Sequence, residues 1–267
     1  IGYYEHGDSA EALNCFCKMQ LEGVVPNTHT MVCILGVCGS MGDVGKGLEI
    51  HTHIEKKGWI DSYFLVGTAL LDMFIKCGLL SEAHKIFSLL RSRDVVSWTT
   101  LIGGLVQFGR ATEALELFEK MRAESITPDA VTFVYALKAC SCIGETGKVN
   151  EMVIEIEKKG LFASDLIIGV TLIEVYFKCG FLTKAQEVFE RLPIRSMMTW
   201  TTMVVGYAEH GYGEEAFQYL EQMQVQGFSP NALTLVNCLN VCGNEGSIEK
   251  CTELDLEVKR GGLLEND

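Results

Sequence analysis

Eleven cysteines, one His-x-Glu triplet and a few clustered histidines are the residues of this 267-residue chain whose types suit metal or acid–base chemistry. Zinc sites need their ligands in sets, commonly Cys-x-x-Cys pairs joined by a second Cys or His pair. No C-x-x-C spacing occurs in the chain, and Cys15 with Cys17, or Cys140 with Cys142, stand too close for a zinc knuckle. His53, Ile54 and Glu55 spell the first half of the zinc nucleobase-deaminase signature, in which the Glu moves protons and a later P-C-x-x-C completes the metal site. The second half is missing, so the triplet reads as an ordinary stretch of helix. His51 and His53 likewise have no carboxylate or thiol set to complete a site. Triple-glycine phosphate loops are missing too. The expectation is a chain that is not an enzyme, with no catalytic residues, no metal, no cofactor and no small-molecule substrate.

Cysteine number and charge narrow the class further. An odd count of cysteines with no signal peptide at Ile1 favours reduced, buried thiols over a disulfide framework. Twenty-two Lys and Arg against 35 Asp and Glu leave a net charge of −13, which argues against a nonspecific grip on a polyanion or an anionic membrane. No apolar run approaches the roughly 20 residues that span a bilayer, so no membrane partner is expected. A 48% hydrophobic composition with four prolines excludes disordered and collagen-like chains. The sequence opens without Met, inside an apolar pattern, and reads as a piece of a longer protein whose targeting segment is not included.

The elements that position these residues emerge from an internal repeat. A shift of 102 places lays VVSWTTLIGGL, from Val95, over MMTWTTMVVGY, from Met197, and Thr68 to Phe87 over Val170 to Phe189. Cys38, Cys140 and Cys242 are related by the same shift, as are Cys77 and Cys179, which marks these five as repeated core positions. Within the period lie units of 35, 36 and 31 residues. Their boundaries fall at 1–27 (partial), 28–63, 64–94, 95–129, 130–165, 166–196, 197–231 and 232–267. Each unit holds an apolar stretch, a Gly-containing turn (Gly109, Gly144, Gly180, Gly211) and a second stretch of 3.6-residue periodicity. Ala114, Leu117, Phe118 and Met121 fall on one face of such a stretch, away from Glu113, Glu116 and Glu119. Two helices per unit follow, with Pro26, Pro128 and Pro230 in the loops that end the 35-residue units. Helix pairs this short bury their apolar faces only by stacking, so the fold class is an all-α solenoid and function lies on a surface.

The strings VVSWTTLIGGLVQFGRATEALELFEKMRAESITPD and MMTWTTMVVGYAEHGYGEEAFQYLEQMQVQGFSPN resemble the P-class unit of pentatricopeptide repeat (PPR) proteins. Units ending their first stretch in IKCG or FKCG are similar to the short S class, and those with VCG, KACS or NVCG to the L class. The ordered alternation resembles the PLS subfamily of land-plant organelles and runs through the whole chain; a tetratricopeptide array would keep 34 residues throughout. This resemblance implies a right-handed superhelix whose first helices line a groove for single-stranded RNA, one nucleotide per repeat. It also implies residence in a mitochondrion or chloroplast.

In the family, the fifth and last residues of a unit read the base edge, and the second packs against base faces. Carried onto this sequence, the base-reading pairs are Thr68 with Asp94, Thr99 with Asp129 and Thr201 with Asn231. The partial first unit keeps only its last residue, Asn27. The base-packing residues of the three complete coded units are Leu65, Val96 and Met198. Thr with Asp implies guanine, and Thr with Asn implies adenine. Val32 with Tyr63 and Val170 with Ser196 depart from the informative pairs; Val134 with Asp165 and Val236 with Asp267 resemble weak L-class readers. Family members place a phosphate-contacting Lys at the thirteenth position. Lys76 and Lys178 match it, whereas Ser40, Gln107, Cys142, Glu209 and Asn244 do not. A bland reading stands beside each pair, since Thr, Asp and Asn are ordinary residues of helix starts and turns.

Two functions of different class follow. The first is sequence-selective binding of single-stranded RNA, targeting transcript processing or C-to-U editing performed by an absent domain or a partner factor. The second is a helical-repeat scaffold whose groove holds a basic peptide or protein, for which −13 is suited. Much of the acid lies on second helices, as in Glu187, Glu190, Glu214, Glu215 and Glu221, which spares the groove in part.

Overall fold

The structure, a computed structural model, describes residues 8–245. Every regular element among them is an α-helix, and the chain divides into two compact units between Cys142 and Ile143. The first unit contains α1 (Ser9–Leu21), α2 (Thr28–Met41), α3 (Val44–Lys56), α4 (Trp59–Ser62), α5 (Phe64–Lys76), α6 (Leu80–Leu89), α7 (Val95–Gln107), α8 (Ala111–Ala123) and α9 (Ala130–Ile143). The second contains α10 (Thr146–Lys158), α11 (Leu161–Ser164), α12 (Leu166–Lys178), α13 (Leu182–Arg191), α14 (Met197–Glu209), α15 (Gly213–Val225) and α16 (Ala232–Glu245).

Within each unit the helices stack as pairs. In the first, α7 packs on its partner α8 and on α5, the first helix of the preceding pair. In the second, α14 packs on α15, α12 and α16 in the same way. The turns inside the pairs need a residue in the left-handed region, and Gly109 (φ 74) and Gly211 (φ 79) take it without the steric cost a Cβ imposes. Aromatic side chains lock neighbouring pairs: Trp98 meets Phe87 edge-on at 4.7 Å, and Trp200 meets Phe189 at 4.8 Å. Such pairs add about 0.5–1.5 kcal/mol beyond the area they bury. Arg93 and Arg195 cover the outer faces of Phe87 and Phe189 at 5.0 and 4.8 Å.

Two helices per unit proves too few for residues 28–63 and 130–165. Each has an additional short helix, α4 or α11, opened by Gly58 or Gly160 in the left-handed region. Trp59, Ile60, Leu161 and Phe162 give those turns an apolar side, and Ile60 is buried. The recurrent cysteines also split. Cys38, Cys140 and Cys242 are fully packed, whereas Cys77 and Cys179 are only half-buried, because each is the C-cap of its helix.

Candidate nucleic-acid interface

The last residue of each described unit occupies the N-cap of the next first helix, and at all of them but Tyr63 a side-chain oxygen satisfies a backbone N–H that has no partner within the helix. Asn27 Oδ1 accepts from Thr30 N (2.9 Å), Asp94 Oδ1 from Ser97 N (2.9 Å), Asp129 Oδ1 from Thr132 N (2.8 Å) and Asn231 Oδ1 from Thr234 N (2.9 Å). Asp165 caps through Ile167 N at 2.8 Å. Capping therefore accounts for these residue types locally, and it also fixes one oxygen of each, so that the other heteroatom is the one left for a ligand. Asp267 lies outside the described residues.

The structure brings Thr99 and Asp129 together through a third residue. Thr99 Oγ1 lies 2.6 Å from Thr132 Oγ1, and Thr132 Oγ1 donates to Asp129 Oδ1 at 2.7 Å. The second unit repeats the arrangement more loosely: Thr201 Oγ1 is 3.3 Å from Thr234 Oγ1, Thr234 Oγ1 donates to Asn231 Oδ1 at 2.9 Å, and Asn231 Nδ2 donates to Thr201 Oγ1 at 3.4 Å. Thr68 and Asp94 are not joined in this way. Thr68 donates its hydroxyl proton to the Phe64 carbonyl at 3.2 Å, while Ser97 turns its own hydroxyl to the Asp94 carbonyl at 3.0 Å.

The second residues form an exposed aliphatic floor. Leu65, Val96 and Met198, buried by neither helix pair, are 54–63% exposed despite being apolar. Three residues that the sequence reading passed over stand in the same place of their helices: Val131, Ile167 and Leu233, 50–59% exposed. The 102-place shift, which lays Leu65 on Ile167 and Val131 on Leu233, carries the signal that finds them. Isolated exposed aliphatics need no explanation, but a recurrent one at a single helical position does.

A cleft of ≈ 380 Å³ in the first unit is lined by Val96, Thr99, Asp129, Val131, Tyr135 and Lys76, among others. Two glycines hold it open. A Cβ on Gly104 would stand 2.6 Å from Ile75 Cγ2, and one on Gly103 2.7 Å from Tyr135 Cε2, so α5, α7 and α9 approach only because these positions lack one. Gly206, the 102-place equivalent of Gly104, is crowded by Phe177 in the second unit. Lys76 is exposed at the end of α5 and pairs with Asp72 at 2.7 Å; Lys178 is exposed at the end of α12. No charged residue occurs in α7, whereas Glu116 and Glu119 on α8 and Glu187 and Glu190 on α13 are exposed, so the acid is concentrated on second helices.

The other chemistry-bearing residues are dispersed. His53 lies edge-on to Trp59 at 6.1 Å with Nε2 buried, Ile54 is in the core, and Glu55 faces solvent, so the triplet's side chains diverge. Burial pushes the Cys38 thiol up to about 11 and raises Cys77 and Cys179, the opposite of what a reactive thiolate requires. No group of three or more His, Cys, Asp or Glu among the described residues is placed to hold a metal ion.

Comparison with known proteins gives a consistent result. The PPR repeat family matches residues 93–142 and 195–244, and the PPR repeat matches residues 1–24, 68–95 and 170–196. Pentatricopeptide repeat-containing protein At5g65570 of Arabidopsis thaliana is 35% identical, over 100% of this chain and 36% of its own length. From the same plant, At4g18520, chloroplastic, is 34% identical over 89% of this chain and 38% of its own. At3g02330, mitochondrial, is 34% identical over 96% and 30%. The chain spans about a third of the length of the curated relatives it matches. Among solved structures, the pentatricopeptide repeat protein PPR10 in complex with an 18-nt psaJ RNA element superposes with a TM-score of 0.77 at 19% identity, covering 94% of this chain and 37% of that one. At that identity the likeness is one of fold, an all-α solenoid of helix-turn-helix repeats.

Proposed function

Because the chain belongs to the pentatricopeptide repeat family, we propose that it binds single-stranded RNA with sequence selectivity, one nucleotide to the partial unit 1–27 and one to each of the seven units that begin at 28, 64, 95, 130, 166, 197 and 232. The observation that carries this reading is the cleft in which a Thr hydroxyl and a cap carboxylate converge above exposed aliphatic side chains. Repeat proteins that read RNA base by base use two or three side chains per base, together with a face to stack on. In this reading Thr68 with Asp94 and Thr99 with Asp129 select guanine, Thr201 with Asn231 selects adenine, and Asn27 ends a reader for adenine or cytosine. Leu65, Val96 and Met198 pack on bases, joined by Val131, Ile167 and Leu233. Lys76 and Lys178 face phosphates.

With the RNA 5′ end at the protein N-terminus, the preferred order is A or C, any, G, G, any, any, A, any. The alternation of 35, 36 and 31 residues supports a PLS-type array. Such an array targets transcript processing or C-to-U editing in a mitochondrion or chloroplast, with the reaction supplied by another domain or a partner factor. That RNA-bound PPR10 shares the fold, and that relatives carry organellar names, supports the assignment.

The test is an exchange. Wild type and Asp129→Asn are titrated at low salt against two RNAs of this order that differ only in G or A at the fourth nucleotide. Wild type is expected to favour G, and the variant to move towards A, by about 1–3 kcal/mol. Equal affinity of both proteins for both RNAs removes the reading and leaves the peptide-binding scaffold.

A further inference from the structure

The hydrogen-bond arithmetic around Thr132 determines more than its contacts. A Thr hydroxyl has one proton to give and two lone pairs to fill. Thr132, fully buried, gives its proton to Asp129 Oδ1 at 2.7 Å, because an ionised carboxylate oxygen has none to return. One lone pair accepts from the Asp129 backbone N–H at 3.3 Å. The remaining contact, 2.6 Å to Thr99 Oγ1, can then only be Thr99 donating. Thr99 has spent its proton, and it presents lone pairs alone to the cleft. Asp129, with Oδ1 held by the N–H and O–H of Thr132, presents Oδ2, a second acceptor.

Two adjacent acceptors fit one base. Guanine alone has neighbouring donors, N1–H and the N2 amino group, on its Watson–Crick edge; adenine pairs one donor with one acceptor, uracil sets one donor between two acceptors, and cytosine sets one donor beside two acceptors. The same accounting at Asn231 gives a different pair. Its Oδ1 is held by the N–H and O–H of Thr234, both at 2.9 Å, and its Nδ2 gives one N–H to Thr201 Oγ1 at 3.4 Å, which leaves the second N–H as a donor beside Thr201. Donor plus acceptor matches adenine's N1 and N6 amino group.

We infer that Thr132 and Thr234 are positioning residues for base specificity: the third residue of a following repeat sets the hydrogen-bond polarity of the reader before it. The inference rests on the RNA-reading function above. It is not a general property of a hydroxyl at this place. Ser97 gives its proton to the Asp94 carbonyl and is hydrogen-bonded to neither reading side chain beyond the cap N–H, while Thr68 loses its proton to its own helix. Thr199 likewise turns to the Ser196 carbonyl, at 2.8 Å.

The decisive variant is Thr132→Val, which keeps the shape and the capping N–H and removes the hydroxyl. Binding is measured to RNAs carrying G or A at the fourth nucleotide, and separately at the third. In wild type G is favoured at both. Thr132→Val is expected to narrow the G-over-A ratio at the fourth nucleotide by roughly threefold to tenfold, the value of one net hydrogen bond, and to leave the third unchanged. Thr132→Ser is expected to restore the ratio. Ser97→Ala is expected to leave the third-nucleotide ratio where it was. Thr234→Val supplies the independent case in the second unit, relaxing A over G at the seventh nucleotide. An unchanged ratio in both Val variants, or an equal loss for G and A, overturns the positioning role. Absence of any preference in wild type overturns the RNA-reading function itself, and this inference with it.

Discussion

Thr68 with Asp94 and Thr99 with Asp129 are the same two residues at the same two places, yet they are wired differently. Around Asp129 a buried hydroxyl joins cap and reader into one hydrogen-bonded chain. Around Asp94 the cap closes on itself: Ser97 Oγ bonds the backbone of Asp94 on both sides, at 3.0 Å to the carbonyl and 3.1 Å to the N–H, and Thr68 stands apart. Thr199 behaves as Ser97 does, and its cap, Ser196, has no carboxylate or amide oxygen to receive the proton. The preceding connections differ as well: six residues lead into α9 and α16, and five into α7 and α14. The long loop that enters through Pro128 delivers Asp129 to α9 with its side chain towards Thr132, as the loop through Pro230 delivers Asn231 to α16. The shorter links before α7 and α14 instead form capping boxes with the backbone. Under the proposed RNA-reading function, the two pairs therefore differ in how tightly their polarity is held.

The strongest way to break this comparison is at the glycines. Gly104 stands where α7 meets Ile75 of α5, and Gly103 where α7 meets Tyr135 of α9. Gly104→Val forces apart the helices bearing both pairs, and it is expected to cost about 1–3 kcal/mol of stability through overpacking. RNA selectivity is lost at the third and fourth nucleotides together. Gly103→Val disturbs the α7–α9 contact alone, so selectivity should fail at the fourth nucleotide and persist at the third. Urea melts and the two-position titration separate the outcomes; loss at both positions in both variants refutes the assignment of separate contacts to separate nucleotides.

A smaller effect sharpens the contrast. Asp129→Asn installs an amide whose oxygen is held by two donors of Thr132, so its NH₂ group points to the base. Asp94→Asn installs one held by the Ser97 N–H alone, free to present either end. The gain of A over G should reach about 1–3 kcal/mol at the fourth nucleotide and fall clearly short of that at the third. Equal switching at the two sites would mean that the Thr132 hydroxyl contributes nothing to orientation.

The difference between the two pairs also marks how far the sequence was legible. The 102-place period leads directly to stacked helix pairs, because only one arrangement buries a recurring apolar face on so short a helix. Residue types at Thr99, Asp129, Thr201 and Asn231 were readable from their recurrence. Which way Thr99 points its proton was not, because that depends on the rotamer of Thr132, a residue from the next unit brought close only by packing. The 102-place shift equates Ile167 with Leu65 and Val131 with Leu233, but their exposure is a property of the stacked surface and has no mark in local composition. The short helices α4 and α11 escaped because four residues are too few to display a period.

The smallest effect concerns Lys76 and Gln107, the thirteenth residues of α5 and α7, which line one cleft with opposite endowments. Lys76 carries a charge, and its Nζ lies 2.7 Å from Asp72 in an exposed pair; such pairs contribute only about 0.3–0.5 kcal/mol. A phosphate therefore competes readily with Asp72 for that ammonium. Each phosphate neutralised on a single strand steepens the dependence of log affinity on log salt by about 0.7. Lys76→Ala should flatten the slope by about that amount and leave the G-over-A ratio at both nucleotides untouched, since a point charge on the backbone carries no base information. Gln107→Lys should steepen it equally, giving the helix of Thr99 the positive charge that the helix of Thr68 carries at Lys76. Salt titrations of the two variants against one RNA measure both slopes. If the base ratio moves while the slope stays fixed, Lys76 acts on the reading pair and not on the phosphate.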